Sequence, residues 1–569
     1  MSKEIYFEEV KRKKSLYLAD HCISDPKFLS EKELKKFKKK VINNYHWHND
    51  RKMKVDHKYL RRFLKKKSKD IFNDLNRYHN LNKTDKFWNT IIYPWLTIIT
   101  YILFDRWEII NSLKTKKKFV FNTFQFDEKL LIPETMREIK YVDDKFNLML
   151  YTKIVDFIGL KCRKNKFILK KKSKENYPKF TFLKLKILKF ISYFFNNKIV
   201  FNNCGLTFYN RIKLDLFFKQ FPFPWINPPY KKNEIDIEKR KKFFKKKGKK
   251  KNFEFFFDEY IYLLVPKSYL EDFNEINYAI ENSYWPKACK NIFTCYEYKQ
   301  NDIFKIWVSK MRCNGSKYYI IQHGGNYGSP EYSIEEDMQK IVSDRFLTWG
   351  WGSTKDKKVK KFNAFPLNFA RVKKWSKKND KILVCIHYHS KFSHRVTSLP
   401  KNNFDRLNKL YQIKKFTENL SNKNIVIRYP KQTSKQWNIN IKENYFSDYI
   451  KFDHGDKNYR DIISNYRLTV HDNDSTTFLI SMLFNLPTIL ILDKKIEKFR
   501  PEAKLFYNQL KKKNIIFYDP ISAAKFINKI GSSVEKWWFS YNLQKTRNIF
   551  CSKFVKKSFF PIKDLKKLI

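Results

Sequence analysis

Five short apolar runs between Lys381 and Tyr518, separated by helix-length segments, constrain the fold more than any other feature of this chain. They are KILVCIH (Lys381–His387), NIVIR (Asn424–Arg428), Leu468–His471, Thr488–Leu492 and Ile515–Tyr518. Strands alternating with helices over such a span build a Rossmann-like sheet.

A second sheet is expected upstream. A helix-like stretch from Asp302 leads into KYYIIQ (Lys317–Gln322), which stops abruptly at His323-Gly324-Gly325, and Arg345–Gly352 repeats the strand-and-turn pattern. Open α/β sheets bind ligands beyond the carboxyl ends of their strands, so a strand emptying into a Gly-rich turn is a natural site. Further back, Phe119–Phe124, Lys198–Phe201 and Tyr260–Val265 read as buried strands and Phe180–Phe195 as a helix. Residues 1–115 read as helical, with Lys32–Asn43 and Leu60–Leu75 as surface helices over an aromatic-rich Trp88–Ile110. The run Lys231–Lys251 reads as a solvated loop or disordered insertion. With 569 residues, too many for one ordinary core, the expected organisation is two α/β domains. A helical region plus the first Rossmann-like domain occupies 1–352, a connection 353–380, the second Rossmann-like domain 381–533 and a C-terminal helix 534–569.

The net charge of +62 invites a nucleic-acid reading, but Lys outnumbers Arg about fivefold. Nucleic-acid readers favour the bidentate Arg fork, so a composition bias toward Lys, Asn, Ile, Phe and Tyr accounts for the charge better. Such a surface can still hold a protein against an anionic membrane. Eight scattered Cys without a CxxC pair exclude a zinc ribbon or disulfide framework and fit a reducing cytosol. The N-terminus lacks a signal-peptide apolar run. The apolar stretch Thr90–Phe104 is too short to span a bilayer, contains Pro94, and is expected as a buried helix. The expected location is the cytoplasm, peripheral to the inner face of the membrane.

Two motifs carry the chemistry. In Gln322-His323-Gly324-Gly325-Asn326-Tyr327-Gly328, paired glycines permit close backbone approach to a ligand and leave N–H groups for an anion. His323 is a candidate acid/base, as are Glu335 and Glu336 just downstream; Gln322, Gly324, Gly325 and Tyr327 are candidate substrate contacts. In Leu468–Thr477 a strand ends in His471-Asp472-Asn473-Asp474 and Ser475-Thr476-Thr477 opens a helix. Hydroxyls and unpaired N–H groups at a helix start form a phosphate site, or Asp474 or Ser475 simply caps the helix. Arg500 and Arg428 each follow a strand and could neutralise a phosphate or carboxylate, or pair with a local acid. Tyr45-His46-Trp47-His48-Asn49-Asp50-Arg51 has two His but no clear third ligand, so Asn49-Asp50 is read as a helix cap and no metal is expected.

These segments, in order, resemble a known family. HNDR (His48–Arg51), FWN…YPWL…FDRW (Phe87–Trp107), QHGGNYG…E…SDRFLTWGW and HDNDSTT…NLPT…FR…A are similar to transferases of bacterial surface-polysaccharide gene clusters. That family is distantly similar to capsule-type Kdo transferases and other GT-B glycosyltransferases. The resemblance implies a GT-B-like architecture, two Rossmann-like domains facing a cleft. It implies a glycosyltransferase using a nucleotide-activated sugar, with a CMP-linked ulosonic acid as one candidate donor, a glycan or lipid-linked acceptor, and no separate cofactor. It also implies that His323, Gly324 and Gly325 line the cleft from the first domain, that Ser475, Thr476 and Thr477 hold the donor phosphate, and that Arg500 flanks it. Polyol-phosphate transfer on the same fold, or nucleic-acid binding through the basic faces, are the competing readings.

Overall fold

The computed structural model describes residues 3–7, 16–22, 36, 38–42, 45–115, 119–139, 141, 143–166, 179–195, 197–246, 248, 250–353, 356–387, 389–393, 402–431 and 446–569. Three all-parallel sheets organise them. The first, in spatial order β2-β1-β3-β4, joins β1 (Lys3–Tyr6), β2 (Leu16–Tyr17), β3 (Phe119–Gln125) and β4 (Cys162–Lys166). The second runs in chain order: β5 (Ile199–Phe201), β6 (Asn291–Thr294), β7 (Lys317–Ile321), β8 (Arg345–Thr348) and β9 (Val359–Lys361). The third comprises β10 (Ile382–Cys385), β11 (Ile425–Arg428), β12 (Lys451–Asp453), β13 (Leu468–His471), β14 (Thr488–Ile491) and β15 (Ile516–Phe517). Its spatial order, β12-β11-β10-β13-β14-β15, is that of a Rossmann sheet, and the order reverses between β10 and β13. Carboxyl-end loops of the second and third sheets meet, giving the GT-B-like arrangement of two facing Rossmann-like halves.

All five apolar runs of the C-terminal half form strands, because these β-branched and Leu-rich segments pair with buried neighbours, on both sides for all but the edge strand β15. β12 escaped notice because KFD carries too little apolar character to register as a run. Elsewhere the structure departs from expectation in four places. The N-terminal 115 residues are not purely helical, since β1 pairs with β3 on one side and β2 on the other in a sheet of their own. Of the helix expected over Lys32–Asn43, Lys36 and residues 38–40 are helical, and half of the stretch lies outside the described residues. Tyr260–Val265 is not a strand: it continues the Phe253–Tyr260 helix, capped by the Asn252 side chain, as a turn of 3₁₀ helix. Within Lys231–Lys251 the segment Ile237–Phe244 is a helix, anchored by the fully buried Arg240, whose guanidinium meets Glu271 at 2.6 Å and the carbonyls of Tyr262 and Val265. The 353–380 connection includes β9, paired with β8.

The long helix Asp50–His79 starts where Asn49 accepts the Lys52 N–H at 3.0 Å, and Asn80 ends it with a left-handed φ of 53°. Asp50, the first helical residue, reaches Lys498 of the far half. The next helix, Asp85–Asn111, passes through Pro94 and is longer than the apolar run inside it suggested. It is long and apolar enough to cross a membrane, but 89 % of its most apolar window is buried within the protein, where it packs against Asp50–His79 and Asp302–Cys313. The C-terminal segment breaks into helices Val534–Trp538, Tyr541–Phe554 and Pro561–Lys566 and crosses back to the second sheet, where Lys556 donates to the Trp349 carbonyl at 2.8 Å.

Candidate functional site

β7 delivers Gln322 into the core, and its carboxamide fixes the turn that follows. Gln322 Oε1 accepts the Trp349 backbone N–H at 2.9 Å and the Trp351 indole N–H at 2.7 Å, while Nε2 donates to the Gly324 carbonyl at 2.7 Å. This explains why Trp-Gly-Trp accompanies the motif. Asn326 and Gly328 take left-handed φ values of 60° and 72°, and a Cβ on Gly328 would enter the Trp351 indole. His323 is half-buried between the rings of Tyr296, 4.6 Å away, and Tyr327, 5.4 Å away.

The turn then touches the other half of the protein. The Gly325 N–H donates to Thr476 Oγ1 at 2.9 Å, and a Cβ on Gly325 would stand 2.5 Å from the Ser475 carbonyl carbon. A Cβ on Gly324 would meet Thr476 Oγ1 at 2.7 Å. Close approach of two backbones is what the glycine pair supplies. Below it, Asp474 accepts from Ser329 at 2.9 Å and from the Tyr507 hydroxyl at 2.6 Å. Arg500 Nε donates to the Pro330 carbonyl at 3.0 Å, and its Nη2 lies 3.0 Å from Glu336, which also takes the Gly328 N–H at 2.7 Å. Burial raises the Glu336 carboxyl against the pull of Arg500, and it raises Asp474 likewise. Glu335 faces elsewhere, accepting from the Tyr298 hydroxyl at 3.0 Å and Lys299 at 2.9 Å. Both glutamates are buried.

The β10/β13 reversal opens directly onto this seam. The residue after each strand leads the two loops together: Asp472 accepts the His387 backbone N–H at 2.9 Å. Asn473 is buried, yet among the described residues neither its Oδ1 nor its Nδ2 has a hydrogen-bond partner, and the same holds for Asp472 Oδ2. Burial pushes the Asp472 carboxyl up to about 6, with Lys409 opposing. Lys409 itself is buried and donates to the Asp472 carbonyl at 2.7 Å and to Glu497 at 2.6 Å. Ser475 then caps the Thr476–Leu483 helix by position alone, without a side-chain hydrogen bond, and Thr477 Oγ1 lies 3.3 Å from His471 Nδ1. Beside Tyr507 and Glu497 lies a pocket of about 290 Å³ between the halves, with Glu331 on one wall and Lys494, Lys498 and Lys504 on the other.

Of the residues singled out in the sequence, Gln322, His323, Gly324, Gly325, Tyr327, Glu336, Asp474, Ser475, Thr476, Thr477 and Arg500 converge on one seam. Arg428 does not; it closes β11 on the far side of β10, paired with Asp453 at 2.5 Å. Asn473 and Asp472 lay in view within the motif but were passed over for their hydroxyl neighbours. Lys409 and Glu497 carry no local signal, being one lysine among many and one acid in a charged loop. Among the described residues no group of three or more His, Cys, Asp or Glu is placed to hold a metal ion; His46 instead meets Asp105 at 3.0 Å.

A family model described as the LIC12162 family transferase matches residues 6–569. The chain belongs to this transferase family. No curated protein matches the sequence. Among solved structures, the spinosyn rhamnosyltransferase SpnG complexed with spinosyn aglycone aligns with a TM-score of 0.29 and 10 % identity, over 52 % of this chain and 78 % of that one. Anabaena HepE in complex with UDP-glucose aligns at 0.31 with 11 % identity, over 49 % and 78 %. The glycosyltransferase VinC in complex with dTDP aligns at 0.31 with 6 % identity, over 83 % and 96 %.

Proposed function

We propose that this member of the LIC12162 family is a glycosyltransferase of surface-carbohydrate assembly, moving a sugar from a nucleotide-activated donor to a glycan or lipid-linked acceptor in the seam between its two Rossmann-like halves. The observation that carries the reading is Asn473. A buried carboxamide with no hydrogen-bond partner among the described residues, at the reversal point of a Rossmann sheet and two residues before a Ser-Thr-Thr helix start, suits a ligand that completes its hydrogen bonds. The first-turn N–H groups of that helix, with its dipole, would stabilise charge building on the leaving phosphate. The lysine-lined pocket alongside favours an anionic donor, and a CMP-linked ulosonic acid, which carries both a phosphate and a carboxylate, is the specific candidate.

His323 is the proposed base for the acceptor hydroxyl, because it is the titratable group on the turn that is only half-buried. Glu335 and Glu336 are already engaged with Tyr298, Lys299, Gly328 and Arg500, which suits positioning of the turn rather than proton transfer. Arg500 and Asp474 are engaged similarly across the seam. Thermal-shift screening of CMP-, UDP-, GDP- and dTDP-linked sugars tests the reading, since a donor stabilises the folded state by mass action. His323→Ala should then abolish transfer while leaving donor-induced stabilisation in place. Loss of neither on substitution of His323, Asn473 or Ser475 contradicts the assignment.

A further inference from the structure

The helix Lys179–Ser192 presents apolar side chains on two opposite faces, and only one of them is used by the fold. Leu185, Leu188 and Ile191 pack against the core. Leu183, Ile187 and Phe190 stand at i, i+4 and i+7 and point outward, and Phe194, two residues past the helix end, extends the stripe with its ring 5.4 Å from Phe190; Phe190 is 64 % and Phe194 70 % exposed. The chain beyond the helix adds Tyr193 at 76 % and Phe195 at 46 %. Single exposed apolar residues are ordinary on a soluble protein; a continuous outward stripe of large ones is not, and it marks an interaction surface. Lys184 and Lys186, both exposed, and the partly exposed Lys189 flank the stripe.

The surface continues on the neighbouring helix. The first helix leads into the edge strand β5 and Phe208–Phe217 leads out of it, exposing Phe208, Tyr209 and Leu216. The segments that follow the two helices meet: the Phe195 ring lies 4.8 Å from Phe221, and Asn197 donates to the Phe221 carbonyl at 2.7 Å. β5 belongs to the same sheet as β7, so this face borders the half that carries His323.

We infer that this face docks on an anionic lipid bilayer, the helix lying in the interface plane with its outer stripe among the acyl chains and its lysines at the headgroups. Aromatic and aliphatic side chains interleaved with lysine, on a chain of net charge +62, match that partner in both hydrophobicity and charge. The inference does not depend on the donor-site assignment, because none of these residues touches the seam.

The test is co-flotation of the full chain with vesicles of phosphatidylcholine alone and of phosphatidylcholine mixed with phosphatidylglycerol, at low and high salt. Binding is expected to the mixed vesicles and to weaken with salt. The triple substitution Ile187→Glu, Phe190→Glu, Phe194→Glu should abolish it without lowering the melting temperature, since all three side chains are more than half exposed. Replacing Lys184, Lys186 and Lys189 by Gln should weaken binding by about fivefold per lysine. Binding unchanged in both variants, or no binding by the parent chain, overturns the inference. So does a concentration-dependent dimer that the triple substitution dissolves while vesicle binding is absent, which would make the face a self-association surface.

Discussion

The backbone N–H of Gly325 donates to the hydroxyl of Thr476 at 2.9 Å, joining a turn after β7 to the helix start after β13. The two motifs that stand 150 residues apart in sequence are thus in direct contact, and that contact ties the carboxyl ends of two sheets together.

The glycines should respond unequally to substitution. A Cβ on Gly325 meets backbone atoms of Ser475 and Thr476, which cannot rotate away, so Gly325→Ala should cost about 1–3 kcal/mol and most of the activity. Gly324→Ala meets only the Thr476 hydroxyl and should be milder. Chemical denaturation of the two variants compares them; equal losses would mean that the close approach at Gly325 is not what the motif protects.

Arg500→Ala leaves the buried Glu336 without its cation and should destabilise the chain by about 3 kcal/mol. Adding Glu336→Gln should recover part of that loss, because the uncompensated charge disappears. A double-mutant cycle measures the coupling, and additivity of the two changes would argue against the pair.

Asn473→Ala removes a side chain with no hydrogen bond among the described residues, so stability should change by less than about 1 kcal/mol. Donor affinity should nonetheless fall about tenfold, the worth of one hydrogen bond to a ligand. Calorimetric titration of a stabilising nucleotide sugar reads both binding and integrity. A large stability loss with donor affinity intact would make Asn473 structural.

His57 gives a pH-dependent prediction outside the seam. Burial lowers its pKa to about 4, outweighing nearby Asp337, and its Nδ1 lies 2.9 Å from the Tyr101 hydroxyl. The unfolded chain binds a proton there below about 6.5 while the folded chain does not, so stability is lost as pH falls. The stability advantage of the parent over His57→Gln should therefore shrink by about 1.4 kcal/mol per pH unit between pH 6.5 and 4. A gap independent of pH would show that His57 is protonated in the folded state.

Much of the second Rossmann-like half was legible because its strands are apolar on both faces and its Ser-Thr-Thr helix start has a characteristic chemistry. The first half was harder. The same apolar density occurs in β3 and in the helical Tyr260–Val265, and period alone does not separate a short buried strand from a buried helical turn. β1 and β2 are short segments, and the pairing of β1 with β3 spans more than a hundred residues, a long-range fact that no local pattern carries. At the site, residue types pointed to the right loops but not to their partners. Glu336 looked like a base until its contact with Arg500 appeared, and the Lys409–Glu497 pair depends entirely on the packing of distant elements. The outward stripe of the Lys179–Ser192 helix was likewise invisible, since sequence shows that apolar residues are present and not which face the fold covers.

The most direct test of the account is the binding of nucleotide-activated sugars to the intact chain and to its Asn473→Ala and Ser475→Ala variants, read by thermal shift and calorimetry. The account predicts that at least one donor class raises the melting temperature of the parent and that each variant loses most of that rise while remaining folded. Equal stabilisation of parent and both variants, or none by any nucleotide sugar, would contradict the placement of the donor at the β10/β13 reversal.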